Sequence, residues 1–145
     1  MANGFMYLTA IIDVYSRFVE GWAISNSMTS DWVISVLEEA IATHGTPEIV
    51  NSDQGSQFTC ADWVHTLKNH TIQISMDGKG RAIDNVYIER LWRSVKYDYV
   101  YLNPADDGLA LYKGLKQWFY EYNYEETHQG IDRKVPASLY LQQAA

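Results

Sequence analysis

Two apolar stretches near the start of the chain, GFMYLTAIIDVYS (4–16) and RFVEGWAIS (17–25), follow one another with almost nothing between them. That spacing constrains the fold more than any other feature. Both are rich in β-branched and aromatic residues, the composition of strands. With only the short connection DVYSR at their junction, they are expected to pair as antiparallel neighbours. Then the period changes. Ser27, Thr29 and Ser30 offer N-caps for a helix reaching about His44. Val33, Val36, Leu37, Ala40 and Ile41 keep helical spacing, and Gly45 with Pro47 ends it.

Beyond that helix EIVNS reads as a short strand. Thr59 reads as the cap of a second helix to about Asn69, with Trp63, Val64 and Leu67 on one face, and TIQIS as another strand. A charged glycine loop, DGKGRAIDN, opens into a helix from about Asp84 to Tyr99. Pro104 and Asp106 start a further helix carrying Leu111, Leu115, Trp118, Phe119 and Tyr122, and SLYLQQ closes the chain as a short apolar segment. This order predicts a mixed α/β domain with one central sheet, a single domain over residues 1–145.

Composition narrows the setting. With 47% apolar and 14% aromatic residues the chain can bury a core, and the composition argues against disorder. No apolar run approaches the ~20 residues of a membrane span, and no signal peptide stands at the start. Cys60 is alone, which removes a disulfide framework or a thiolate zinc site and points to a reducing, cytoplasmic home. A net charge of −7 argues against coating nucleic acid by bulk electrostatics. Yet Lys79, Arg81, Arg90, Arg93 and Lys96 are five of the eleven basic residues, so charge is local.

Asp53 and Glu89 are the acids to single out. Asp53 closes the strand EIVNS before a glycine turn; Glu89 lies one turn into the helix after the glycine loop. Taken singly, the first is a turn former and the second a solvated helix residue. Together, from two elements that the intervening helix and strand can bring side by side, they make an oxygen-rich site suited to Mg²⁺ or Mn²⁺. Asn85, Glu89, Arg93 and Lys96 share one helix face, either a phosphate-binding face or a solvated basic one. Gln54 and Gln57 flank Gly55 and either contact substrate or simply make the turn polar. His44, His65, His70 and His128 have no shared ligand spacing.

The blocks NSDQGSQFT and SMDGKGRAIDNVYIERLWRSVKYDYVYL resemble the catalytic core of insertion-sequence transposases and retroviral integrases. The likeness is close from residue 4 to about 102 and looser beyond. It implies a ribonuclease-H-like fold and metal-dependent DNA strand transfer. Asp53 and Glu89 fall on the family's second and third catalytic acids. The implied DNA contacts are Gln54, Lys79, Arg81, Asn85, Arg93 and Lys96; the implied partners are transposon ends, target DNA and further copies of the chain, with action at the bacterial nucleoid and no membrane. The family's first Asp belongs to a strand of the form Trp-x-x-Asp-Ile-Thr ahead of a hairpin turn, and Met1-Ala2-Asn3-Gly4 looks like that turn. The resemblance therefore implies a core lacking its first strand, with one metal or none where the complete site holds two. Asp13 is expected to hold the DVYSR turn, with direct metal binding as the alternative. Where the family's tail carries Asn-Arg-x-Arg-x-His, this chain reads NYEETHQGIDRKVPASLY. Two functions stay open: a polynucleotidyl transferase, or a catalytically inactive remnant that keeps the fold and self-associates or binds DNA weakly. A ribonuclease-H-like nuclease would need more acids than these.

Overall fold

The computed structural model describes residues 7–27, 29–52, 56–76, 86–95, 108–128, 131 and 133–144. Strands β1 (Tyr7–Ile12) and β2 (Val19–Ser25) form the expected antiparallel pair. Asp13 closes the turn between them. Its Oδ2 accepts from the Ser16 backbone N–H at 3.0 Å and from the Ser16 hydroxyl at 2.6 Å. The Asp13 N–H donates to the Phe18 carbonyl, and the Arg17 N–H to the Asp13 carbonyl. These bonds hold Arg17 at φ 66°, a left-handed conformation that costs a side-chain-bearing residue about 1–3 kcal/mol.

Next to the turn the ladder slips. Ile11 faces Gly21 and Ile12 faces Val19, so Glu20 is the extra residue of a β-bulge. Its Oε2 accepts from the Tyr140 hydroxyl at 2.8 Å, while the Tyr140 ring stacks on Phe18 with centroids 4.4 Å apart. Asn123 fastens the same corner from another direction. Its side chain accepts from the Val19 N–H (2.8 Å) and donates to the Val19 carbonyl (3.0 Å), satisfying buried backbone groups where β2 begins.

Helix α1 (Ser30–His44) begins as read: Thr29 Oγ1 accepts from the Trp32 N–H. It ends at Gly45, whose φ of 94° lets its N–H turn back to the Ile41 carbonyl. Strand β3 (Ile49–Ser52) follows, and then the reading needs correcting. Instead of one helix capped by Thr59, a single turn α2 (Ser56–Thr59) precedes α3 (Ala61–Asn69). Thr59 closes α2, its hydroxyl directed to the Ser56 carbonyl, and Cys60 occupies the N-cap of α3 without a side-chain capping bond. Strand β4 (Gln73–Met76) lies parallel to β3. The remaining elements are α4 (Val86–Ser94), α5 (Gly108–Tyr124) and α6 (Pro136–Ala144); the last turns the terminal apolar segment into a helix.

Side chains alternate across the hairpin, and both faces are covered. Leu8, Ala10 and Ile12 of β1, with Trp22 and Ile24 of β2, pack on Leu91, Val95, Leu115, Trp118, Phe119 and Tyr122. Ile11 faces the other way, toward Val33, Leu37, Trp63, Leu67 and Ile72. The expected single sheet is not continuous among the described residues: β1 pairs with β2, and β3 with β4. A cavity of about 450 Å³ is lined by residues of both β1 and β3. No helix among the described residues is long and apolar enough to cross a membrane.

Burial raises the Glu20 carboxyl above its ordinary 4.5, with the charge of Asp13 acting in the same sense and the Tyr140 hydrogen bond opposing. The folded chain therefore holds this proton more tightly than the unfolded one. Stability falls as pH rises from about 4.5 through the raised value and is level above it. Glu20→Gln keeps an acceptor for Tyr140 but cannot ionise, so its urea midpoint should decline less than wild type between pH 4 and pH 8. An equal decline in the two proteins would remove Glu20 as the source.

Candidate active site

Of the residues read as functional, Glu89 and Arg93 are described. Both project from α4 into solvent, one turn apart on the same face. Asp53, Gln54, Lys79, Arg81, Asn85 and Lys96 lie outside the described residues. The opposite side of α4 explains why the exposed face is firmly held. Leu91 and Val95 are 1% and 3% exposed and join the core of Val19, Leu115 and Phe119, with Ile88 packed against it. Of the apolar residues described on α4, Leu91 is the deepest, and Trp92 is half-buried.

The strand that leads to Asp53 in the sequence is β3. Asn51 and Ser52 end this strand directly before Asp53. Asn51 Oδ1 accepts from the Ser75 hydroxyl at 2.8 Å, joining the two residues that sit opposite each other in β3 and β4. Ser52 is buried. Asn51 and Ser52 line the cavity of about 450 Å³, and so do Ile88 and Trp92 of α4. The residue before Asp53 and the residue before Glu89 thus border one space.

Asp13 performs the turn role expected of it through Ser16. Gln57 lies in α2, half-buried, with its carbonyl facing the Cys60 thiol at 3.6 Å. Among the described residues no three His, Cys, Asp or Glu side chains gather closely enough to hold a metal ion. His70 lies 4.0 Å from Glu38 at the surface, and His128 contacts the Tyr122 carbonyl at 3.2 Å. Asn123 and Tyr140 were the contributors that pattern reading missed. A lone Asn inside an aromatic helix was the one available signal for the former.

A hairpin and a parallel strand pair, with helices on both faces, are the framework of a ribonuclease-H-like α/β fold, and solved structures of that class superpose on it. The chain aligns with a simian T-cell lymphotropic virus intasome structure at TM-score 0.82, 22% identity, covering 96% of this chain and 49% of that one. The BIV integrase catalytic core aligns at TM-score 0.76 and 18% identity, covering 94% and 86%. The HTLV-2 integrase catalytic core, solved in complex with magnesium, aligns at TM-score 0.69 and 18% identity, covering 93% and 92%.

The chain belongs to the integrase core domain family: one family model of that description matches residues 1–82 and a second matches residues 70–136. It is 32% identical over 140 residues to the transposase of insertion sequence element IS904 from Lactococcus lactis, covering 92% of this chain and 54% of that protein. It is 35% identical over 101 residues to transposase InsF of insertion sequence IS3A from Escherichia coli K12, covering 68% and 35%. The chain thus spans roughly half or less of the length of these relatives.

The division of α4 into a held face and an open face has a measurable consequence. Glu89→Gln should leave stability within about 0.5 kcal/mol of wild type, since the side chain is exposed. Leu91→Ala should cost about 2–5 kcal/mol. Urea unfolding of both variants is the check, and a Glu89→Gln as costly as Leu91→Ala would mean that Glu89 supports the fold.

Proposed function

We propose that the chain is the catalytic core of a bacterial insertion-sequence transposase, a metal-dependent enzyme acting on DNA in the cytoplasm, with Asp53 and Glu89 as metal-holding carboxylates. The observation that carries this reading is the shared cavity: Ser52 and Ile88, each immediately before one of these acids, both line it in a chain of the integrase core family. Strand order supports it. Ligands of open α/β sheets gather beyond the carboxyl ends of parallel strands, and Asp53 follows the carboxyl end of β3.

Two carboxylates are hard oxygen donors of the kind Mg²⁺ and Mn²⁺ take, and Glu89 is open to a hydrated cation. Such an ion, when bound, supplies charge neutralisation at a phosphoryl group. The chain's own residues do the rest. Arg93 and Lys96 pair with backbone phosphates, and Gln54, Lys79, Arg81 and Asn85 position the strand that carries the scissile bond. The nucleophile is water in the first cleavage and a DNA 3′-hydroxyl in strand transfer. The chain acts as a homodimer or higher assembly on transposon ends and target; the HTLV-2 core was solved in dimeric and trimeric forms.

The acidic total of −7 favours a second reading, in which residues 1–145 keep the fold without activity. Both readings expect Mn²⁺ to bind at Asp53 and Glu89, and they part on cleavage. Mn²⁺ titration followed by electron paramagnetic resonance should show weak binding that Asp53→Asn and Glu89→Gln each reduce. Binding unchanged in both variants would refute the assignment. In a supercoiled-plasmid assay with Mn²⁺, nicking by residues 1–145 that Glu89→Gln abolishes is the outcome of the first reading, and absence of nicking is the outcome of the second. Strong nicking abolished by Glu89→Gln would show that a further carboxylate, with Asp13 first in line, completes the site.

DNA affinity should be weak and steeply salt-dependent, a small basic face working against a net negative chain. Replacing Arg93 and Lys96 together by Ala should lower affinity for every sequence and reduce the log–log salt slope by roughly 2. Fluorescence anisotropy from 50 to 200 mM salt measures it; an unchanged slope would make this face a merely solvated one.

A further inference from the structure

Strands β3 and β4 send successive side chains to opposite sides. Val50 and Ile74, one rung of their ladder, pack with Val33, Leu37 and Trp63 on the α1–α3 side. Asn51 and Ser75, the next rung, therefore face away from that core. The two side chains are joined: the Ser75 hydroxyl donates to Asn51 Oδ1 at 2.8 Å, in a half-buried setting. Asn is among the residues that strands disfavour, so its place in a four-residue strand calls for a reason.

The two strands are not equally anchored. Strand β4 grows from a fixed root: the Ile72 N–H donates to the Leu67 carbonyl at 2.9 Å, and Leu67 and Ile72 are both buried. Thr71, at φ 59°, makes the turn that brings the chain there from α3. Strand β3 has less to hold it. Ile49 is 54% exposed, Val50 is half-buried, and β4 is its one strand partner among the described residues. The last rung of the ladder is Ser52 with Met76, and Asp53 is the next residue in the chain. Ladder ends open before ladder centres. Burial of Ser52 presses the end inward without giving it a direction. The hydrogen bond one rung inside does give one, because it fixes the height of β3 along β4.

We infer that Asn51 and Ser75 are a positioning pair for the carboxylate of Asp53. Their bond sets β3 against the anchored β4 one rung before the strands end, so the residue that follows β3 returns to one place. The inference rests on the metal-holding role proposed for Asp53. Both residues act through the strand, not by contact with an ion or with DNA. Hydrogen bonds that hold metal ligands in place typically change metal affinity by about 10–100-fold, and with backbone in between the lower end applies. A cross-strand bond that served the sheet alone would raise stability and leave the affinity of the folded protein unchanged.

The test is Mn²⁺ titration of residues 1–145 by electron paramagnetic resonance, under conditions where urea unfolding shows each variant to be folded. Ser75→Thr keeps the hydroxyl, and Ser75→Val has the same shape without it. Ser75→Val should weaken Mn²⁺ binding about tenfold, while Ser75→Thr stays within about twofold of wild type. Asn51→Val should match Ser75→Val. The double variant should bind no more weakly than either, because all three remove the same bond. Equal affinity of Ser75→Thr and Ser75→Val, or losses that add in the double variant, would overturn the inference and leave Asp53 standing as a ligand. If Asp53→Asn binds Mn²⁺ as wild type does, the metal role of Asp53 fails and the positioning pair fails with it.

Discussion

Everything in this molecule is referred to the register of the β1–β2 hairpin. Both faces of the hairpin are buried, so a slip of one residue would send Leu8, Ala10 and Ile12 from the α4–α5 side to the α1–α3 side and bring Ile11 the other way. No compensating surface exists, because each face is filled by large side chains. Three separate devices hold the register, all within a few residues of the turn. Asp13 ties down Ser16, Asn123 clamps both backbone groups of Val19, and the bulge at Glu20 turns its carboxyl to Tyr140. The last two reach across the sequence from α5 and α6. The hairpin is thus a local structure whose alignment is enforced by distant residues.

That division explains what could be read from the sequence. Elements specified by their own residues were legible: the hairpin from two adjacent β-branched runs, α1 from its Thr29 cap and Gly45 stop, β3 and β4 from short apolar runs between turn signals. What was misread depends on partners. Thr59 looks like an N-cap because Thr caps well in isolation, yet the chain spends it in the preceding turn and lets Cys60 stand at the start of α3. The charged residues of α4 mark its open face, while the packing of Leu91 and Val95 follows from α5, which no local pattern reveals. The terminal segment SLYLQQ has too weak a period to announce a helix, and α6 is held through Phe18 and Glu20, about 120 positions away.

For the candidate site, legibility came from a different source. Neither Asp53 nor Glu89 is distinguished by local physics, since a strand-end Asp and an exposed helix Glu are common. Their combination with the flanking Gln, Gly and Asn residues carried the family likeness, and the family assignment stands on the matches over residues 1–82 and 70–136. What the fold adds is the economy of α4. A helix that must offer a carboxylate to solvent needs its opposite face anchored, and Leu91 and Val95 anchor it among Leu115, Trp118 and Phe119. Under the proposed function, rigid support beneath the exposed acid would let it meet a cation without loss of position.

Charge sets the remaining constraint. Eighteen acidic residues against eleven basic ones give a chain repelled by DNA at long range, while Lys79, Arg81, Arg93 and Lys96 crowd into one stretch around Glu89. At physiological salt the Debye length is about 8 Å, so acids elsewhere on the surface are largely screened from a phosphate docked on this stretch. At low salt the same acids act over about 30 Å and oppose approach. The proposed DNA encounter is therefore governed by two opposing salt effects: screening relieves long-range repulsion and weakens the phosphate pairs themselves. A protein dominated by the second effect loses affinity monotonically as salt rises. Here the first can offset it at the lowest ionic strengths, so the salt dependence should flatten there and steepen only once the Debye length falls below the extent of the basic stretch.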